Sequence, residues 1–132
     1  MPQFGPNSLK RLTTIHPDLQ RVLNRAIVRF DFAITCGLRD KIDQDAAYKG
    51  GFSKVQWPNS RHNCSIGTDG VHDFNMSDAV DLAPLPIDWN NRKAFENLAT
   101  IIKACAALEG VQIRWGGSWT KFPDIPHYER VV

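Results

Sequence analysis

Four histidines, His16, His62, His72 and His127, and three aspartates, Asp78, Asp81 and Asp124, are the side chains here best suited to hold a metal or move a proton. A catalytic zinc takes three protein ligands from histidine and carboxylate and leaves its fourth position to water. The ion lowers the pKa of that water and polarises a carbonyl, so that an amide bond can be attacked. A further carboxylate must then accept the proton and return it to the leaving amine. This sequence can supply such a set, although a lone histidine is more often a surface or hydrogen-bonded core residue.

Local context separates the candidates. Asp81 lies between Val80 and Leu82 in an apolar stretch, and an inward-facing strand carboxylate is costly unless it is paired or metal-bound. Asp78, three residues earlier, alternates to the other face and is read as a partner for a ligand imidazole. His127 sits between Pro126 and Tyr128, where proline restricts the backbone. Asp124 is either a general base, with Glu129 in reserve, or a turn residue before Ile125-Pro126. Arg39 either pairs with Asp40 or Asp43 at the surface or faces a cleft and holds a substrate anion or an oxyanion. His16 reads as a helix-cap residue. Cys64 is rejected as a ligand of a catalytic zinc, because a fourth protein ligand would displace the water. Asp69 and Asp73 faintly suggest calcium but lack EF-hand spacing.

The elements that must position these groups follow from periodicity. Leu19, Val22, Leu23, Ala26, Ile27 and Phe30 recur at helical spacing after Pro17-Asp18. Phe32–Cys36 reads as a short strand, and Asp40–Lys49 as a polar helix closed by Gly50-Gly51. Residues 52–77 lose periodicity and read as a long surface loop. Ser77–Ala83 alternates as a strand, broken by Pro84 and Pro86. A second long helix, capped by Asp88 or Asn90, runs to about Glu109, with Phe95, Leu98, Ile101, Ile102, Cys105 and Leu108 on its apolar face and Gly110 as its stop. Val111–Trp115 is a further strand. The expected architecture is one α+β domain spanning 1–132, with two main helices on a small antiparallel sheet.

Composition excludes other classes. At 132 residues the chain can bury one core. Sixteen Lys+Arg against fourteen Asp+Glu leave a net charge of +2, too even to argue for nucleic acid. No apolar run is long enough for a membrane span. Cys36, Cys64 and Cys105 are too few for a disulfide framework and fit a reducing compartment. The N-terminal residues lack the apolar core of a secretory signal, so synthesis in the cytoplasm is expected, and action outside would need something else to let the protein out.

Several motifs, in order, resemble a known family. Ser60-Arg61-His62, Ala79-Val80-Asp81 and Asp124-Ile125-Pro126-His127 look like the zinc peptidases that include D-Ala-D-Ala carboxypeptidases (VanY-like) and L-alanyl-D-glutamate endopeptidases, in particular short phage endolysins. Phe4–Ser8, Pro17–Gln20, Gly37-Leu38-Arg39, Ile87-Asp88-Trp89 and Arg114–Trp119 match in type and order, so the likeness covers nearly the whole chain.

The resemblance implies a Hedgehog/D-Ala-D-Ala-peptidase-like zinc fold. It places zinc on His62, Asp81 and His127, the catalytic carboxylate at Asp124, and an active-site arginine at Arg39. Ser60, Trp115 and Trp119 become candidates for substrate contact, the two tryptophans being read either as wall or core or, for one of them, as lining the substrate groove. The implied activity is that of a monomeric endolysin cutting the L-alanyl-D-glutamate bond of the peptidoglycan stem peptide, reaching the wall through a lesion made by a holin-like protein. A D-alanyl-D-alanine carboxypeptidase and a non-catalytic zinc- or wall-peptide-binding domain are the alternatives. One departure stands out: eighteen residues separate His62 from Asp81, more than in the family. Either residues 63–77 are an insertion, lid-like or merely tolerated, or His72 is the first ligand; the Ser-x-His context favours His62.

Overall fold

The computed structural model describes residues 1–132. Helix α1 (Pro6–Leu12) leads into α2 (Pro17–Ile27), β1 (Phe32–Cys36) and α3 (Lys41–Lys49). A minimal hairpin follows, β2 (Ser65–Ile66) with β3 (His72–Asp73), then β4 (Ala79–Pro84), α4 (Arg92–Glu109), β5 (Ile113–Trp115) and β6 (His127–Arg130). The main sheet has the order β1-β4-β6-β5, with every neighbouring pair antiparallel.

The two long helices form where the apolar spacing places them. The His16 ring accepts a hydrogen bond from the Asp18 N–H at the start of α2, as its cap-region reading anticipated. Asn91, rather than Asp88 or Asn90, caps α4 by accepting from the Ala94 N–H. Gly110 ends α4 in the left-handed region at φ 69°, a conformation that disfavours any residue with a Cβ. Helices α2 and α4 pack on each other, and their apolar faces join the sheet in one core of 19 buried residues. Leu108 departs from its expected place and is exposed; Ala99 and Ala106 fill the α4 face instead.

Strand β4 is central, so it loses the simple alternation of a half-exposed strand. Ala79, Val80, Leu82, Ala83 and Pro84 are all buried, and Asp81 alone is not. Pro84 does not break the sheet but forms the last residue of the strand, opposite Phe32. Helix α1 was not legible as a helix. It docks on β1 through the Ser8 hydroxyl, which accepts from the buried Ile34 N–H. The 52–77 segment is less irregular than expected, because Asp78 gathers its second half: the carboxylate accepts from the Ser65 hydroxyl and the Ile66 N–H. Asp78 therefore braces the hairpin and Arg130, and does not contact a candidate ligand imidazole as anticipated.

The segment before β6 lies directly over Gly116, whose carbonyl accepts from the Asp124 N–H at 2.9 Å. A Cβ at Gly116 would collide with the Asp124 carbonyl and come within 3.1 Å of the His127 Cβ. Gly116→Ala is expected to lower stability by about 1–3 kcal/mol through this overpacking, read as a drop in thermal midpoint. Gly5→Ala, where a Cβ meets nothing within 4 Å, should leave the midpoint unchanged. Equal midpoints for the two variants would refute the close approach.

Candidate active site

Two strands and one loop bring the predicted ligand candidates together, and a third strand adds Cys36 beside them. Asp81 on β4 stands directly opposite His127 on β6, and Cys36 on β1 faces Asp81 from the other side after a register shift between Ile34 and Cys36. His62 arrives from the loop 60–63, which is tied down at both ends. The Ser60 hydroxyl accepts from the His62 N–H, and the His62 carbonyl accepts from the Arg39 N–H at 2.8 Å. Ser60 is thus committed to holding His62 in place.

The hydrogen bonds of the two rings fix which nitrogen faces inward. His62 Nδ1 lies 2.8 Å from the Gly37 carbonyl, which can only accept, so Nδ1 carries a proton and neutral His62 presents a lone pair at Nε2. His127 Nε2 lies 2.9 Å from a Glu129 carboxylate oxygen, so its lone pair is at Nδ1. These two nitrogens are 3.2 Å apart, and Asp81 Oδ1 lies 3.2 Å from the first and 3.3 Å from the second. Three electron-pair donors therefore form a nearly equilateral triangle. A tetrahedral ion with bonds of about 2.0–2.1 Å has ligand–ligand edges of about 3.3–3.4 Å, so the triangle is the size of one face of such a site.

Without a cation the triangle attracts protons. Burial disfavours a charged His62, but the adjacent Asp81 outweighs it and pushes the imidazole up to about 10. Burial likewise opposes charge on His127, and hydrogen bonds to Asp81 and Glu129 overcome it. Asp81 is held well below the usual carboxylate range; its burial, which alone would raise it, is outweighed by the two histidines. A metal entering here displaces protons, so its affinity falls as pH falls.

Asp124 stands at the open side of this triangle. One carboxylate oxygen is 3.8 Å from His127 Nδ1, and the side chain is about half exposed, 48%. Partial burial, then the charge of Asp81, raises its pKa above the ordinary aspartate value. That direction suits a group that must both take up and release a proton. Glu129 lies across the His127 ring from the open side, on Nε2, and is therefore not placed to act as the base. Arg39 reaches to 4.0 Å from Asp81, with its guanidinium donating to Gln44 Oε1 at 2.8 Å. Buried Gln44 also accepts from Asn63 and donates to the Val55 carbonyl, fixing Arg39 and the His62 loop to the same point on α3.

Other predicted residues lie elsewhere. His72 is on the exposed hairpin, with Nδ1 3.6 Å from the Cys64 sulfur, and takes no part in the triangle. Asp69 and Asp73 accept from backbone N–H groups two residues on, as turn residues do. Trp115, read as wall, core or groove lining, is a core residue whose indole N–H donates to the Ile125 carbonyl at 2.7 Å, not a groove residue. Trp119 is only partly buried, and its ring lies 5.3 Å from that of His127.

Two contributors were missed in the sequence, and a third, Glu129, is legible there only as a reserve base. Gln44 gave no signal. The contact of Glu129 with His127 could have been found, because the two lie two residues apart and so on the same face of a strand. Cys36, with its sulfur 3.8 Å from His62 Nδ1, was detectable only through pairing with β4.

A profile of the phage L-alanyl-D-glutamate peptidase family matches residues 1–131. The chain belongs to this family. It is 29% identical over 127 residues to the L-alanyl-D-glutamate peptidase of Escherichia phage T5, covering 92% of this chain and 85% of that protein. Among solved structures it resembles the Serratia marcescens L-Ala D-Glu endopeptidase ChiX, with TM-score 0.78 and 25% identity over 98% of this chain and 90% of that one. The α+β fold and the peptidase character expected from the sequence are those of the phage L-alanyl-D-glutamate peptidases.

In this peptidase Glu129 fixes the tautomer of His127. Glu129→Ala is expected to weaken metal binding about 10–100-fold, while Glu129→Gln, which keeps an acceptor oxygen, should lose less. Chelator competition measures both; unchanged affinity in Glu129→Ala would show that the bond does not position His127.

Proposed function

We propose that this phage peptidase is a zinc enzyme that hydrolyses the L-alanyl-D-glutamate bond of the peptidoglycan stem peptide. The observation that carries the reading is the triangle of lone pairs on His62 Nε2, His127 Nδ1 and Asp81 Oδ1, 3.2–3.3 Å on each side. Its nitrogen and carboxylate donors suit zinc, which would be held by those three residues. When bound, zinc supplies a water of lowered pKa and polarises the scissile carbonyl.

The chain's own groups do the remaining work. Asp124, at the open side, accepts the proton of the attacking water and delivers it to the leaving amine nitrogen, so that a neutral amine departs. Arg39 offers guanidinium hydrogens to the developing oxyanion or to a substrate carboxylate. Trp119 forms a wall beside His127. Ser60 acts indirectly, through the backbone of His62.

The protein acts as a monomeric endolysin. A phage peptidase made in the host cytoplasm must cross the cell membrane to reach the wall, and no helix here is long and apolar enough to cross one. Release through a lesion made by a holin-like protein is therefore part of the proposal.

Asp124→Asn should keep its zinc and lose at least about a hundredfold in kcat on purified cell wall. The wild type should generate new amino termini on D-glutamate. Wild-type activity in Asp124→Asn would remove the assigned base. Release of free D-alanine with no glutamate termini would identify a carboxypeptidase instead.

A further inference from the structure

A cleft of about 420 Å³ opens beside the candidate metal centre and shares a wall with it. Its lining includes Lys10, Arg11 and Thr14 from the end of α1 and the turn after it, Cys36 and Arg39 from the β1–α3 connection, and Asp43. Arg39 also lies 4.0 Å from Asp81 of the lone-pair triangle, and Cys36 lies 3.8 Å from His62 Nδ1, on the edge of that ring turned away from the triangle. Arg39 therefore links the cleft to the triangle through Asp81, and from there the cleft runs towards α1.

Its charge is one-sided: three cations face a single carboxylate. Basic residues at a helix C-terminus commonly serve that helix's own carbonyls. Here Arg11 turns away from α1 and donates to the Ile34 carbonyl of β1 at 3.0 Å, which holds its guanidinium against the sheet. Lys10 forms no ion pair. The concentration of positive charge in a concave, partly walled space raises the local potential for an anion.

The substrate has a matching asymmetry. A glutamyl residue carries two carboxyls, and the peptide continues through only one of them. The other remains as a free carboxylate on the amine side of the scissile bond, whereas the alanyl side offers only a methyl group. We propose that the Lys10–Arg11–Arg39 cleft binds the free carboxylate of the D-glutamyl residue and so sets which side of the substrate lies towards α1. Lys10 and Arg11 are then specificity-determining residues, remote from the reacting atoms. This rests on the assigned cleavage of an alanyl–glutamyl bond.

The test uses two synthetic acyl-L-Ala-D-Glu peptides, one with the free carboxylate and one with a carboxamide in its place. Wild type, Lys10→Gln and Lys10→Glu are compared, with thermal midpoints confirming that the exposed substitutions leave the fold intact. The wild type should favour the carboxylate peptide. Lys10→Gln should raise KM for that peptide about three- to fivefold and Lys10→Glu about tenfold, with kcat within about twofold. KM for the carboxamide peptide should stay within about twofold in all three. A merely structural role for Lys10 would move both substrates together, and that result overturns the proposal, as does an unchanged preference in Lys10→Glu. A wild type that cleaves neither peptide would overturn the assigned reaction, and this proposal with it.

Discussion

Three lone pairs directed at one another within 3.3 Å are an unstable arrangement unless a cation or a proton lies among them. That convergence of His62, Asp81 and His127 is the constraint the rest of the structure serves. Asp81 and His127 are held in place by sheet register, as directly opposed residues on β4 and β6. His62 is held by a loop, and a loop alone would be too loose. Gly37, Ser60 and Arg39 supply the hydrogen bonds that replace a regular element around it.

The surrounding polar groups form a graded set of supports. Glu129 orients His127 and is itself near Arg114 and Arg61, at 3.5 and 3.9 Å. Arg61 lies at the same distance from Asp78, which anchors the 65–73 hairpin and Arg130. One Arg61 nitrogen, Nη1, is buried without a hydrogen bond. Removing a group from this chain leaves other buried charges unpaired, which costs more than the lost contact itself. The hairpin that separates His62 from Asp81 is thereby coupled to His127 on β6, although His72 at its edge stays outside the site.

Much of this was legible in the sequence because the informative residues are local. Helices α2 and α4 followed from apolar spacing, and α3 from Asp40 at its cap with Gly50-Gly51 at its end. His62, Asp81, Asp124 and His127 were selected by short motifs, and the structure brings them together. What the sequence concealed depends on contacts across the sheet or between distant loops. Cys36 reaches the site through a bulge in β1, and Gln44 through hydrogen bonds to residues up to nineteen positions away. Asp78 was misread because strand alternation gives a face and not a partner. The sequence reads Trp115 as either core or groove, since an aromatic residue beside a motif can do either, and its place in the core is set by packing the sequence does not show.

The central claim is that the triangle holds zinc through two imidazole nitrogens and one carboxylate oxygen. X-ray absorption at the zinc edge of the metal-loaded protein tests it directly. The account predicts one zinc per chain with only nitrogen and oxygen neighbours at about 2.0–2.2 Å. A sulfur neighbour at about 2.3 Å would bring Cys36 into the ligand set and contradict the assignment, and a protein that binds no zinc would remove it altogether.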